Sequence, residues 1–364
     1  MDSDALVYCE SEFGRTDGKV ANGLARHSAK YKILGIIDST EAGRDAGEVL
    51  DGVKSGVPIF ASLSEALMSL GFVPKFFIYG IAPLASFLDE PQREVHFAAM
   101  AQGMNIVNGL PEFLSEDVEF MRRAVASGVE IHDIRKPPPR EDLHIFTGRI
   151  FDLETPVITV LGTDCAVGKR TTAVRLVEAL KSKGLNAAFI ATGQTGLLQG
   201  AKYGVAVDVL TSGFSTGEVE RAILDADANE HPDIIIVEGQ GALSHPAFIS
   251  TAAILRGAHP DGVILQHPPR RKSHCDYPDI PMPTLASEIG LIELFAKSRV
   301  IAITLNHEDM NDDEVTDTIS EYEILHGMPV TDVLKTGCSK LIDRLYEVFP
   351  TLREKALLAC LPLE

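Results

Sequence analysis

The stretch Val157-Ile158-Thr159-Val160-Leu161-Gly162-Thr163-Asp164-Cys165-Ala166-Val167-Gly168-Lys169-Arg170-Thr171-Thr172 decides the fold. An apolar, β-branched run enters a glycine-containing turn, the turn ends in Gly-Lys, and an amphipathic segment follows. That order is strand, loop, helix, the context in which a phosphate-binding loop works. Glycine lets the backbone fold back and aim several N–H groups inward. The next helix adds the positive end of its dipole, and Lys169 adds a full charge. Gly162, Thr163, Asp164, Cys165, Ala166, Val167, Gly168, Lys169, Arg170 and Thr171 are therefore the expected cofactor-binding residues.

The loop departs from the usual pattern twice. Gly162 and Gly168 enclose five residues, where the usual loop has four. Arg170 follows the lysine, where a Ser or Thr normally takes Mg²⁺. Thr171 comes one place late, about 100° further around the helix. A second cation and a displaced hydroxyl suit holding a polyphosphate better than cleaving it.

Outward from this loop, the composition sets bounds. The 364 residues suggest about two domains. At 45% hydrophobic and 23% charged, the chain is globular with ample core. A net charge of -19 argues against general affinity for nucleic acid, and leaves an anionic ligand in need of a local basic pocket. Cys9, Cys165, Cys275, Cys338 and Cys360 are scattered without CxxC spacing, which points to a reducing, cytoplasmic setting. The start Met-Asp-Ser-Asp lacks an apolar targeting core, and no apolar run reaches the ~20 residues of a membrane span. The expected partners are a small-molecule substrate and copies of the chain itself, with neither nucleic acid nor membrane.

Before the loop, strand-like segments at 5–9, 32–37, 57–60, 75–79, 104–107 and 129–132 alternate with helical segments at 18–28, 63–70, 91–101 and 115–126. Ser115 reads as the start of the last helix. Alternation of this kind implies a parallel sheet covered on both faces. Residues 1–135 read as a Rossmann-like domain, although no G-x-G-x-x-G run is present. Asp38, ending a strand, reads as a turn cap ahead of a ribose contact. Lys136-Pro137-Pro138-Pro139-Arg140 marks a boundary, because three prolines stiffen the chain in extended form. Residues 136–155 are read as a linker with one short strand at 145–147, and 156–364 as the second domain. There the rhythm repeats, with strands at 157–161, 187–191, 234–237, 262–265 and 299–304. Helices are expected at 169–183, 216–228, 284–296, 312–325 and 338–348. The fold class is α/β, two doubly wound domains with mainly parallel sheets.

In open α/β sheets ligands collect beyond the C-terminal strand ends. After 187–191 comes Thr192-Gly193-Gln194-Thr195-Gly196, a small polar loop in which Gln194 and Thr195 are candidate substrate contacts. After 234–237 comes Glu238-Gly239-Gln240-Gly241-Ala242-Leu243-Ser244-His245. Glu238 stands where an acid holds Mg²⁺ in nucleotide enzymes; a tuned carboxylate there also takes a proton from an amine. Glu238 and His245 are the candidate catalytic residues, and Gln240 a substrate contact. After 262–265, Arg270-Arg271-Lys272 is a cationic cluster in an acidic chain. Arg270 and Arg271 are candidate clamps for substrate carboxylates. His267, His274 and Cys275 match no zinc spacing, so no metal site is expected.

Gly162-Thr163-Asp164 with Val167-Gly168-Lys169, and Glu238-Gly239 after a later strand, resembles dethiobiotin synthetase and its P-loop relatives. The set GTDCAVGK-x-TT, ATGQTG, VEGQGALSHP, IIDSTEAG and GLPEFLSED is closer to a two-domain family long labelled only as of unknown function. Some of its members are D-glutamate N-acetyltransferases of the DgcN type. The resemblance spans nearly the whole chain. It implies a Rossmann-like domain followed by a P-loop NTPase-like domain, and acetyl-CoA-dependent N-acetylation of an acidic amino acid, D-glutamate first. Two other readings stay open: an ATP/Mg²⁺-dependent ligase or kinase, and a nucleotide-binding regulator without turnover.

Overall fold

Six short strands near the N-terminus and seven later ones form two separate parallel sheets. The computed structural model describes residues 3–83 and 87–359; Cys360 lies outside them, as do the first two residues of the N-terminal reading. The chain divides into one unit of Met1–Pro137 with Gln194–Ala201, and a second of Pro138–Gly193 with Lys202–Glu364.

In the first unit the strands are β1 (Asp4–Tyr8), β2 (Lys32–Ile37), β3 (Ile59–Phe60), β4 (Phe76–Tyr79), β5 (Asn105–Asn108) and β6 (Ile131–Asp133), in the order β3-β2-β1-β4-β5-β6. This is the strand order of a Rossmann sheet. Buried Leu6, Val7, Ile36, Phe77, Ile106, Met100 and Phe120 build its core. Asp38 is fully buried, and its carboxylate accepts the N–H groups of Phe13 and Thr40 at 2.9 Å each. Helix Val118–Ser127 is capped by Asp117, which takes the amides of Glu119 and Phe120; Ser115 lies instead in a 3-10 turn before it. The carboxylate is one residue from the first helical position, whereas Ser115 is too far back to cap it. The short helix Gln194–Leu198 belongs to this unit. Its Leu198 is fully buried in the first core, and Gln199 donates to the carbonyls of Gly23 and His27, both at 2.8 Å.

The second unit holds β7 (Val157–Gly162), β8 (Ala187–Ala191), β9 (Tyr203–Gly204), β10 (Ile234–Glu238) and β11 (Gly262–His267). A hairpin of β12 (Ser273–His274) and β13 (Tyr277–Pro281) follows, then β14 (Arg299–Leu305) and β15 (Val330–Thr331). The parallel sheet runs β15-β14-β11-β7-β10-β8-β9, with the strand before the phosphate loop at its centre. Helices Lys169–Ser182, Ser339–Val348 and Pro350–Ala359 cover one face; Ser212–Glu230, Ser250–Ala258, Leu285–Ala296 and Asp312–His326 cover the other. With both faces covered, β7 and β10 are apolar along most of their length and buried throughout.

No strand forms at 145–147. Thr147 and Ile150 donate their backbone N–H groups to the buried carboxylate of Glu220 on helix Ser212–Glu230, so this stretch is bound side chain to main chain, without a ladder. Among the described residues no helix is long and apolar enough to cross a membrane.

Candidate functional site

The loop after β7 has the shape that anion binding needs. Ala166 and Gly168 adopt left-handed backbone, with φ of 51° and 105°. Alternating handedness of this kind turns successive N–H groups to one side. Gly168 also caps helix Lys169–Ser182 without a side-chain bond, so the positive end of the helix dipole faces the loop. Lys169 is buried, and its Nζ donates to the carbonyl of Asp164 at 2.6 Å. Thr171 is half-buried and contacts Arg170, whereas Thr172 is fully buried and donates to Gln266 Oε1 at 2.6 Å. Of these two hydroxyls the fully buried one is therefore committed to Gln266, whose Oε1 also accepts from Thr304.

Glu238 ends β10, beside β7. It accepts the N–H of Thr192 at 3.1 Å, and Thr192 Oγ1 donates back to the Glu238 carbonyl at 2.9 Å. Burial of the carboxyl pushes its pKa up to about 7, against the opposing pull of Arg170, the Thr192 amide and Lys169. A group poised there exchanges a proton near neutrality. Gln240 donates to the Thr192 carbonyl at 2.6 Å, so its amide braces this loop.

A second cluster gathers around Asp164 of the phosphate loop. Asp164 is fully buried. Its Oδ1 accepts from His274 Nδ1 at 2.7 Å, and its Oδ2 from Arg271 at 2.8 Å and the Cys275 amide at 2.9 Å. Burial alone would raise the pKa of this carboxyl; the bonds from His274, Cys275 and Arg271 outweigh it and hold the pKa below the ordinary value. Arg271 grips Glu308 with two further bonds of 2.7 Å each. Thr163 and His267 share a bond of 2.9 Å, and burial followed by the nearby His326 and Arg271 charges lowers His267 to about 4.

Measured against the sequence reading, the loop residues 162–171, Glu238, Gln240 and His245 all lie in the second unit. Gln194 and Thr195 lie on the helix that belongs to the first unit. Arg271 does not offer a free fork: its donors are taken by Asp164, Cys165 and Glu308. Arg270 is exposed and ion-paired with Glu314. An arginine already closed on carboxylates is a poor clamp for another one. His245 Nδ1 accepts the amides of Ala247 and Phe248 at 3.2 and 3.3 Å, which places the ring proton on Nε2. As folded, His245 offers a donor and no free lone pair, which does not suit a general base. Ligand-capable atoms of Asp164, His245 and His274 lie within 4.8 Å of one another, a convergence that sequence spacing did not show.

Gln266, Glu308 and the Asp164–His274 pair were not singled out from sequence as site residues. Looking just past every strand end, β14 included, would have found Glu308. The Asp164–His274 pair joins residues 110 positions apart through a hairpin that carries no strong strand signal.

A family model described as "Domain of unknown function (DUF1611_C) P-loop domain" matches residues 144–342, and one described as "(DUF1611_N) Rossmann-like domain" matches 39–137. A protein named D-glutamate N-acetyltransferase from Tritonibacter scottomollicae is 29% identical over 281 residues, covering 75% of this chain and 82% of that protein. One of the same name from Pseudoalteromonas sp. is 30% identical over 278 residues, covering 74% and 81%. The crystal structure of a DUF1611 family protein from Anabaena variabilis ATCC 29413 has a TM-score of 0.86 at 30% identity, covering 95% of this chain and 99% of that one. The chain belongs to the DUF1611 family, with its Rossmann-like and P-loop domains.

Proposed function

We propose that this DUF1611 protein transfers the acetyl group of acetyl-CoA to the amine of an acidic amino acid, D-glutamate by the names of its relatives. The observation that carries the reading is Glu238, a buried carboxyl at the end of β10, paired with the strand that leads into the phosphate loop, its pKa pushed up to about 7 by burial. In the proposed reaction the loop amides, Lys169 and Arg170 hold the diphosphate of coenzyme A. The ammonium of the amino acid gives up a proton, and its nitrogen attacks the thioester carbon. The C–S bond then breaks, the nitrogen releases its second proton, and the departing thiolate takes one up, leaving the neutral amide and the free thiol. Glu238 near neutrality can serve either transfer. The Gly239–Gly241 turn supplies backbone N–H groups for the developing oxyanion.

The phosphate loop favours this over phosphoryl transfer. The residue after Lys169 is arginine, and the inward hydroxyl of Thr172 is bonded to Gln266. Arg170 stands where a P-loop enzyme places its Mg²⁺-binding hydroxyl. Cys9, Cys165, Cys275 and Cys338 are free thiols, which supports a reducing, cytoplasmic setting.

The test gives the purified chain acetyl-CoA or ATP·Mg²⁺ with D- and L-acidic amino acids, and follows thiol and ADP in parallel. Thiol release that depends on D-glutamate supports the reading. ADP formation without thiol release replaces it with the ligase or kinase reading that the position of Glu238 also permits.

A further inference from the structure

Asp164 sits inside the phosphate loop, yet its side chain faces away from the work of holding an anion. Its carboxylate can only accept, so the 2.7 Å bond to His274 places the His274 proton on Nδ1. In neutral His274 the lone pair is then on Nε2, which has no hydrogen-bond partner among the described residues. A carboxylate that fixes the tautomer and angle of an imidazole is the arrangement by which a histidine becomes a general base. The carboxylate is itself locked, by Arg271 at 2.8 Å and by the Cys275 amide at 2.9 Å, and Arg271 is locked in turn by Glu308. His274 is held by the β12–β13 hairpin, paired with Tyr277.

His245 completes the cluster with the opposite polarity. Its ring lies edge-on to that of His274, with centroids 4.7 Å apart, and stacks on Phe248 at 4.6 Å. Its Nε2 is buried without a hydrogen-bond partner, 3.5 Å from Asp164 Oδ1. Two backbone amides occupy Nδ1, so the bare Nε2 carries a hydrogen. That tautomer also argues against a metal ion on Asp164, His245 and His274. A ligating imidazole needs a lone pair toward the ion, with its other nitrogen donating outward; here that nitrogen receives.

We infer that His274, positioned by Asp164, is the base that takes the proton from the attacking amine. The inference rests on the acetyl-transfer reading. It assigns deprotonation of the nucleophile to this cluster and leaves Glu238 to the departing thiolate. The proton leaves the substrate nitrogen for His274 Nε2 as the N–C bond forms, and the charged imidazole is balanced by Asp164. Asp164 and His245 contact the His274 ring and Tyr277 pairs with it across the hairpin; Arg271 and the Cys275 amide hold the far carboxylate oxygen of Asp164, and Asp276 and Lys169 act on His245.

The test compares the full chain with His274→Asn, Asp164→Asn and the double variant, reading thiol release across about pH 6 to pH 9. The expected result is a loss in kcat of about a hundredfold or more for His274→Asn, with coenzyme A affinity within about threefold. The double variant should be no worse than the poorer single one, because the two residues act as one unit. A His274→Asn enzyme with near-normal kcat, or a loss confined to KM, overturns the assignment. So does stoichiometric zinc binding that His274→Asn abolishes. If Asp164→Asn does not fold, His274→Asn decides alone. If the wild type releases no thiol, the acetyl-transfer reading fails by itself. NMR of the histidine rings then judges the dyad: an Nδ1 proton on His274 that depends on Asp164 keeps it, and the other tautomer removes it.

Discussion

Lys169 Nζ donates to the main-chain oxygen of Asp164 at 2.6 Å, so the cation of the phosphate loop closes across the loop that carries it. The contact holds the ammonium where a diphosphate would lie against the amides of the first helical turn. A charge-assisted bond to an anion contributes about 1.5–3 kcal/mol. Lys169→Ala is therefore expected to weaken coenzyme A by about tenfold to a hundredfold, read by titration calorimetry. Unfolding by denaturant should show a much smaller change.

The raised pKa of Glu238 has a stability consequence of definite sign. Between about pH 4.5 and about pH 7 the folded chain binds a proton there that the unfolded chain has released, so stability falls as pH rises through that window. Glu238→Gln removes the ionisation. The variant should match the wild type near the bottom of the window and exceed it above, by an upper limit of about 3 kcal/mol. Denaturant midpoints at the two pH values check this. The same variant should lose activity, separating catalytic use from fold.

Gly168 carries a φ of 105° at the end of the loop. A Cβ there would meet Gln266 Nε2 at an ordinary 3.5 Å, so the cost of Gly168→Ala is backbone strain and not collision. It should destabilise by about 1–3 kcal/mol and weaken anion binding through the displaced amides. Gly213, on helix Ser212–Glu230 with nothing within 4 Å of its Cβ position, is the control. Gly213→Ala should stabilise, by up to about 1 kcal/mol.

Gln199 holds the returning segment within the first unit. Gln199→Ala would remove two hydrogen bonds, to the carbonyls of Gly23 and His27, of which Gly23 keeps the His27 amide, and should cost about 1–3 kcal/mol. Hydrogen exchange should speed up over 194–201 before it does at the core strands β1 and β4.

Strands were legible where their signal is local. The runs Ile234–Glu238 and Val157–Gly162 are apolar and β-branched because both faces of the sheet are covered. Helix Ser250–Ala258 was not read, since Ile249 at its start makes no side-chain cap. Helix Pro350–Ala359 was missed despite a proline at its first position, which is a start signal. β9 and β15 are two residues each, too short for any alternation to appear.

The places of the loop 162–171 after β7 and of Glu238 at the end of β10 were readable because both strands have a strong signal. Arg270 and Arg271 looked available because a sequence shows cations without showing Glu314, Glu308 and Asp164 folded against them. His245 looked like a base because the two amides that occupy its Nδ1 follow from a turn, not from residue type.

The place where a diphosphate binds decides whether the loop after β7 is the coenzyme A site. A crystal structure of the chain with coenzyme A measures it. The expected result is the diphosphate on the amides leading into helix Lys169–Ser182, with Lys169 Nζ turned from Asp164 onto a phosphate oxygen. Coenzyme A bound elsewhere, with the Lys169–Asp164 contact intact and no anion in the loop, would contradict it.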